Sequence, residues 1–168
     1  MTAQNNFYVI DTSSLIEFHK RYPFEVFPSL WKKVEDLINQ GILISHKEVL
    51  KELSNQDDSL KKWALEQKNF FKDVTKKQME IVKQILKKYP SLAKPNNEFG
   101  AADPFLIALA VEAGTDSQQK LFASIKRKLI VTEEKMRGSR IRIPFVCQDY
   151  GIECIDIIGM YKEGGWSF

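Results

Sequence analysis

Acidic side chains follow two of the short apolar segments that we predict to be strands. Asp11 comes directly after the run Phe7–Ile10, and Glu134 lies shortly after the run Leu129–Val131. In open parallel sheets, ligands bind beyond the carboxyl ends of the strands, so chemistry is expected at residues just after strands. An acid that directly follows a buried strand, as Asp11 does, normally requires a partner for its charge.

Two further acids are predicted to reach the same edge of the sheet from helices. Glu52 lies four residues after Glu48 on a helix predicted over residues 46–54, so the two side chains share a helix face. Asp103 precedes Pro104 in the pattern of a helix N-cap, and such helix starts usually lie at that end of the sheet. Each acid taken alone has an ordinary explanation as a cap or a solvated helix residue, which we favour for Glu48. Only the combination of these positions indicates a site.

A cluster of carboxylates stays ionised only beside a counter-charge. Oxygen ligands suit Mg²⁺ or Mn²⁺, and the sequence offers no nearby set of His and Cys residues that would favour zinc. Such ions polarise a phosphodiester and activate a water. The acids therefore predict metal-dependent phosphodiester hydrolysis. The two histidines, His19 and His46, are expected to be surface or cap residues and not ligands.

Basic residues are concentrated in two stretches of a chain whose net charge is only +3. Residues 61–94 carry ten Lys against three acids, and residues 120–142 carry eight basic against two acidic side chains. Such stretches can hold a nucleic-acid backbone, although a Lys-rich helix can equally be a solvated face. We take the helices within 59–88 and the segment Lys126–Arg142 as candidate backbone-binding surfaces. In that segment the candidate residues are Lys126, Arg127, Lys128, Lys135, Arg137 and Arg140.

Apolar spacing predicts an α/β fold, a three-layer α/β/α sandwich with a central parallel sheet. Short continuous apolar strands alternate with helices, which is typical of a parallel sheet covered on both faces. The length of 168 residues fits one domain, so we treat residues 1–168 as a single domain. A helix is expected to start after Asp11, and residues 115–128 carry no clear pattern. Strands are predicted at 7–10, 42–44, 129–131 and 152–157, and helices at 29–40, 46–54, 59–71, 75–88, from Asp103 to Gly114, and at 144–150.

The two cysteines, Cys147 and Cys154, are spaced like neither a zinc ribbon nor a redox pair. We expect two buried thiols in a reducing cytosol. No apolar run is long enough for a membrane helix, and no signal-peptide pattern opens the chain. We therefore expect a cytoplasmic protein that does not insert into a membrane.

Four short segments, in order along the chain, resemble the motifs of the PIN-domain family. The first is a strand that ends in Asp-Thr, and the second ends in Glu-Leu. The third is an Asp followed by an apolar, Ala-rich helix, and the fourth is a strand followed by Thr and two acids. These segments are Tyr8–Ile16, Ser45–Leu53, Ala101–Ala110 and Leu129–Glu134, which span most of the chain. The tail, with Pro144 and the run Ile152–Ile157, is similar to the closing helix and strand of the family.

Carried over residue by residue, the resemblance implies a catalytic set of four acids and two hydroxyls. The main acids are Asp11, Glu52 and Asp103, the fourth acid is Glu134, and the hydroxyls are those of Ser13 and Thr132. The four acids are the expected ligands of Mg²⁺ or Mn²⁺, and the hydroxyls are expected to orient carboxylates or water. At the fourth acidic position the family more commonly has Asp.

PIN domains are typically Mg²⁺- or Mn²⁺-dependent ribonucleases, and many small bacterial members are toxins that a partner antitoxin blocks. The resemblance implies an endoribonuclease with an RNA substrate. It also suggests an antitoxin protein as a partner and a homodimer as the oligomeric state. The residues themselves leave two alternatives open: a catalytically inactive PIN-like module that binds RNA or protein, and a nuclease that acts on DNA. Other classes lack their motifs, since the chain has no P-loop and no nucleophile elbow, and Ser13 stands where a dehalogenase-type phosphatase requires Asp.

Overall fold

The computed structural model describes residues 6–56, 58–93, 101–113, 127–136 and 141–168. In these residues five strands alternate with eight α-helices, and a 3₁₀ turn covers Pro90–Leu92. The strands are β1 (Asn6–Ile10), β2 (Leu43–His46), β3 (Phe71–Lys72), β4 (Arg127–Val131) and β5 (Glu153–Ile155). The helices are α1 (Thr12–Arg21), α2 (Pro28–Asn39), α3 (Lys47–Leu53), α4 (Asp58–Glu66), α5 (Lys76–Lys88), α6 (Asp103–Glu112), α7 (Ile143–Asp149) and α8 (Ile157–Gly164).

The five strands run parallel in one sheet of order β3-β2-β1-β4-β5. The chain lays down β2 and then β3 on one side of β1, and afterwards places β4 and β5 on the other side. Strand β1 pairs with β4 along its whole length, from Asn6 opposite Arg127 to Ile10 opposite Val131. The strand order therefore reverses between β1 and β4. In sheets of this kind, ligands bind in the crevice at the carboxyl ends of the two strands where the order reverses.

Helices cover both faces of the sheet. Every residue of β1 and β2 is buried, and a strand buried at all positions requires packing on both sides. Helix α6 is apolar around its circumference, and it contacts β1, β2 and β4 as well as α5 and α7. The predicted α/β sandwich with a central parallel sheet is confirmed. None of the described helices, α6 included, is long and apolar enough to cross a membrane.

The helix predicted over 59–71 is too long, and the structure has a strand at its end. Helix α4 stops at Glu66, and Asn69 then adopts a left-handed backbone with φ of 62°. Asn is one of the few residues that tolerates this conformation, which no helix can continue through. The chain can then turn, and Phe71 and Lys72 pair with β2 as the edge strand β3. A two-residue strand leaves no periodic pattern that would reveal it in the sequence.

Two other predictions also differ from the structure at element boundaries. The strand predicted over 152–157 is confined to β5, because the Asp156 side chain accepts a hydrogen bond from the Gly159 N–H and thereby begins helix α8, which was not predicted. We predicted that Asp103 is the N-cap of α6, but it is the first helical residue. Ala102 occupies the cap position with helical backbone angles and no capping side chain. Gly114, predicted to end this helix, lies outside the described residues.

A cluster of aromatic rings anchors α1, which begins at the candidate site. Phe18 of α1 packs edge-on against Trp31 of α2, with ring centroids 4.3 Å apart. Trp31 in turn meets Trp63 of α4 at 4.8 Å and Phe24 at 4.3 Å. Edge-on and tilted pairs of this kind add to the stabilisation from apolar burial. The far end of α1 is thereby fixed to two other helices.

We expect the substitution Phe18→Ala to destabilise the fold by about 3–5 kcal/mol, because Phe18 is almost fully buried and its loss leaves a cavity. Urea-induced unfolding followed by circular dichroism measures the change. Val26→Ala is the matched control, since Val26 is 66% exposed and its truncation is expected to cost less than about 0.5 kcal/mol. Equal effects of the two substitutions would contradict the assignment of this cluster as an anchor.

Candidate active site

Asp11 lies at the junction of β1 and α1, directly at the crevice where the strand order reverses. It is the N-cap of α1, and its Oδ1 accepts a hydrogen bond of 2.8 Å from the Ser14 backbone N–H. The Ser13 hydroxyl donates to the same carboxylate, and the Thr132 hydroxyl, which follows β4, donates to Oδ2. The Asp11 N–H donates to Val131 of β4 at 3.0 Å. The hydroxyls of Ser13 and Thr132 therefore both bind the Asp11 carboxylate.

The Asp11 carboxylate is a buried charge whose hydrogen-bond donors are all neutral. Burial raises the pKa of Asp11 to about 6, and the negative charge of Glu134 raises it further. The hydrogen bonds from Thr132, Ser14 and Ser13 lower this pKa but do not cancel the effect of burial. A carboxylate in this position gains from a nearby cation, because a positive charge favours its ionised form.

Glu52 is a second buried acid, and it joins three helices. It lies on α3, one residue from its end, where only 9% of the residue is exposed. Its Oε2 accepts a 2.5 Å hydrogen bond from the Thr12 hydroxyl of α1, and its Oε1 accepts a 2.9 Å bond from the Ala102 N–H before α6. Thr12 directly follows Asp11, and Ala102 directly precedes Asp103. Glu52 therefore lies between the segments that carry the other two main acids.

Glu134 and Glu133, which follow β4, both stabilise helix starts elsewhere in the chain. The Glu134 Oε2 accepts a 3.0 Å hydrogen bond from the Ile143 N–H at the start of α7. The Glu133 Oε1 accepts a 3.1 Å bond from the Ile157 N–H at the start of α8. Negative charge at a helix amino terminus is favourable, so both acids have a structural role. The proximity of Glu134 to Asp11 is nevertheless sufficient to raise the pKa of Asp11.

Asp103 approaches the same region from the start of α6, where it is partly buried. The pKa of the Cys147 thiol lies far above its usual range, mainly because of its hydrogen bond with Cys154 and its burial. The negative charges of Glu134 and Asp103 raise this pKa further. Cys147 is fully buried and Cys154 is partly buried, and both are free thiols. The expectation of buried thiols is confirmed for Cys147.

At the carboxyl ends of β1 and β4, the Asp11 carboxylate accepts hydrogen bonds from Ser13 and Thr132. Glu52 is hydrogen-bonded to Thr12 and Ala102, the chain neighbours of Asp11 and Asp103, and the charge of Glu134 acts on Asp11. Among the residues that the structure describes, however, no three His, Cys, Asp or Glu side chains are arranged to hold a metal ion together. Glu52 and Glu134 point their oxygens at separate N–H and hydroxyl donors.

The candidate nucleic-acid-binding residues are spread over both ends of β4. Arg127 lies at its amino end, away from the acids, and forms ion pairs with Glu153 and Glu163. The Lys128 ammonium donates to the Val111 carbonyl, and burial and Lys77 lower its pKa. Lys135 is exposed beside the acids and pairs with Asp156 at 3.0 Å. Lys126, Arg137 and Arg140 lie outside the described residues.

The role of Thr12 was not predicted from the sequence, and neither was a series of buried polar side chains that stabilises α3. His46 is the N-cap of α3, because its Nδ1 accepts a hydrogen bond from the Glu48 N–H. With Nδ1 an acceptor, Nε2 carries the proton and donates to the Gln78 carbonyl oxygen at 3.1 Å. Gln78 donates onward to Glu112 of α6. The prediction that His46 is a cap residue is confirmed. The sequence feature that could have indicated the other hydrogen bonds is a polar residue, Gln78, on the buried face of α5.

The model of a protein family described as a domain of unknown function (DUF4411) matches residues 8–168. The chain belongs to this family. The match covers nearly the whole chain, including every residue of the candidate site. No curated protein and no solved structure matches the chain.

In this DUF4411 domain we expect the substitution Asp11→Asn to stabilise the metal-free fold at pH 7.5 by about 1–3 kcal/mol. The pKa of Asp11 in the folded protein is about 6, above its ordinary value, so the folded state binds the proton more tightly than the unfolded chain. Wild-type stability from this group therefore falls as the pH rises from about 4 to 6, and stays low above that range. Asn keeps the cap acceptor for the Ser14 N–H and carries no charge.

Urea unfolding in EDTA measures this difference, with Asp36→Asn on the exposed side of α2 as the matched control. Added Mg²⁺ or Mn²⁺ is expected to raise the melting temperature of the wild type and of Asp36→Asn, but not of Asp11→Asn. A less stable Asp11→Asn protein, or an equal response of all three proteins to the metals, would argue against a strained buried charge at this position.

A second pH dependence is expected from His46. Burial lowers the pKa of His46 in the folded protein, although Gln78, Glu48 and Asp73 oppose the shift. The stability contributed by neutral His46 is therefore full above the ordinary histidine pKa of about 6.5 and is lost as the pH falls below it. In His46→Asn the cap acceptor is retained without titration. The free-energy difference between wild type and this variant should shrink between pH 7 and pH 5, and parallel profiles would refute the assignment.

Proposed function

We propose that this protein is a metal-dependent ribonuclease that hydrolyses RNA phosphodiester bonds internally. The observation that carries the proposal is the buried Asp11 carboxylate where the strand order reverses, with a raised pKa and the charge of Glu134 acting on it. Glu52 is a second buried acid, hydrogen-bonded to the chain neighbours of Asp11 and Asp103. Burial of two acids at one sheet edge is costly without a cation. This cost is consistent with a site that binds a cation. The order of the acids along the chain also resembles that of PIN domains.

The donor chemistry of the site fits Mg²⁺ or Mn²⁺, since every candidate ligand offers carboxylate oxygen. Asp11, Glu52, Asp103 and Glu134 are the residues that would hold it. When bound, such an ion supplies positive charge to the phosphodiester and lowers the pKa of a water for attack on phosphorus. Rotation of the Glu52 and Glu134 side chains away from their present donors would be needed for all four acids to take part.

The chain's own residues orient these acids. Ser13 and Thr132 fix the Asp11 carboxylate from two sides, one from α1 and one from the residue after β4. Thr12 fixes Glu52 against α1. A substrate phosphate would meet the side chains of at least three elements, which favours one binding geometry.

The substrate and partners that we propose follow the PIN resemblance. RNA is the substrate, an antitoxin protein is the inhibitor, the protein acts in the cytoplasm, and it forms a homodimer. Lys135, exposed beside the acids, is the described residue placed to contact the RNA backbone there. Helix α5, which carries five Lys against one Glu, supplies further positive charge for RNA or for an acidic partner.

A second function is favoured by a specific observation, the hydrogen bonds that already occupy the acids. Glu52 connects α1, α3 and α6, and Glu134 stabilises the start of α7, so both have structural work without a metal. These contacts are what a catalytically inactive PIN-like module that binds RNA or protein would retain. Cleavage assays distinguish this module from the nuclease.

We expect Glu52→Gln to lower metal-dependent RNA cleavage by at least about 100-fold, because even residues behind a metal ligand typically contribute 10–100-fold. The matched control is Glu48→Gln on the same helix, where Glu48 pairs with Lys51 at 2.7 Å in an exposed pair of small energetic value. The control should stay within about threefold of wild type. Structured and unstructured RNA, and single-stranded DNA, are incubated with each protein in Mg²⁺, in Mn²⁺ and in EDTA.

Cleavage that requires the metal and is lost in Glu52→Gln but not in Glu48→Gln supports the nuclease. Equal losses in both variants would show that α3 matters only as a helix. Absence of cleavage by the wild type with either metal, while RNA is still retained, would replace the nuclease with the inactive binding module.

A further inference from the structure

A cavity of about 360 Å³ opens beside the acids, at the carboxyl ends of β4 and β5. Thr132, which donates to Asp11, and Glu134 both lie on its wall. Asp156 and Gly159, at the start of α8, also line it. The volume is at the small end of the range of about 300–1,000 Å³ that is typical of ligand sites. The cavity is therefore continuous with the candidate active site and is large enough for one small group of a bound substrate.

The lining of this cavity combines apolar walls with acidic hydrogen-bond acceptors. Met136, Pro144 and Ile155 supply apolar surface, and Glu134 and Asp156 supply carboxylates. The hydrogen bond from the Gly159 N–H and the charge of Lys135 lower the pKa of Asp156, so that it is ionised at neutral pH. The Lys135 ammonium is paired with Asp156, so the lining residues that the structure describes carry one more negative than positive charge. The carboxylate acceptors and apolar walls therefore suit a neutral flat ring with N–H donors.

We propose that this cavity binds the base of the nucleotide next to the cleaved phosphodiester, and that it prefers bases with an exocyclic amine over uracil. The proposal rests on the proposed nuclease function for its substrate, but the base is recognised without a metal. Carboxylates accept hydrogen bonds from base amines, as acidic side chains do from the cytosine amine. The apolar walls contact the faces of the ring. A base in the cavity places the phosphate of the same nucleotide toward Thr132 and the acids.

Cys154 provides a reporter of occupancy that does not depend on catalysis. It lies on the cavity wall and is partly exposed, whereas Cys147, the other cysteine of the chain, is fully buried. Alkylation of the native full-length protein by iodoacetamide should therefore modify Cys154. Guanosine 5′-monophosphate in EDTA is expected to slow this reaction by at least about fivefold at saturation, and uridine 5′-monophosphate by less than about twofold. Cys154→Ser identifies the labelled thiol, because its native form should not react.

Two substitutions test the walls of the cavity. Met136→Ala removes apolar surface and should weaken guanosine monophosphate binding, whereas Met79→Ala, at a Met of similar exposure on α5 outside the cavity, should not. Asp156→Asn keeps an acceptor for the Gly159 N–H at the start of α8 and removes the charge. This variant should lose most of the preference for the amine-bearing base. Calorimetric titration of the same nucleotides measures binding without the thiol.

Failure of guanosine monophosphate both to protect Cys154 and to give a calorimetric signal would overturn the proposal. Equal binding of the uridine nucleotide, or equal effects of Met136→Ala and Met79→Ala, would overturn it as well. The two hypotheses fail separately, since the binding measurements use EDTA. Binding without RNA cleavage by the wild type would reject the nuclease and keep the cavity, and cleavage without binding would reject the cavity alone.

Discussion

The burial of the Asp11 carboxylate at the end of the central strand is the constraint on which the rest of the site depends. A buried charge requires hydrogen-bond donors, and here they come from one backbone N–H and two hydroxyls. The Thr132 hydroxyl reaches Asp11 only because β4 pairs with β1 in a register that ends with Ile10 opposite Val131. The insertion of β4 beside β1, late in the chain, is therefore what satisfies the acid that follows the first strand. The order of the strands therefore determines which donors surround the Asp11 carboxylate.

Glu52 extends this dependence from the sheet to the helical layers. Its two oxygens accept from α1 and from the residue before α6, so the position of α3 is determined by the same carboxylate that is a candidate ligand. The other end of α3 is held by His46, whose ring begins the helix and continues through Gln78 to Glu112. Polar chains of this kind specify one arrangement when all their members are satisfied. The fold thus positions the acids through buried polar contacts, and apolar packing such as that of Phe18 fixes the far ends of the helices.

Local patterns were sufficient to predict β1, β4 and most helices, because an apolar run followed by a polar cap is encoded in consecutive residues. Features that depend on distant partners were not predictable in this way. Strand β3 has only two residues and exists through pairing with β2, and Asn69 must first reverse the chain. The roles of Glu133 and Glu134 depend on the Ile157 and Ile143 N–H groups, which no spacing in the sequence brings near. Asp103 resembled a cap, but the chain enters α6 one residue earlier through Ala102, whose N–H is taken by Glu52.

The two roles available to Glu134 can be compared by magnitude. A hydrogen bond from a charged acceptor to the Ile143 N–H contributes about 1.5–3 kcal/mol, and the favourable charge at the start of α7 typically adds about 0.3–1 kcal/mol. A divalent cation beside Asp11 would be a larger local charge than any side chain of the site. The extra methylene of Glu, where PIN domains more commonly have Asp, gives the carboxylate the length to reach α7 from the residues after β4. The same length lets it turn toward Asp11, whose pKa its charge already raises. The Ile143 N–H and a cation beside Asp11 would therefore compete for the same carboxylate.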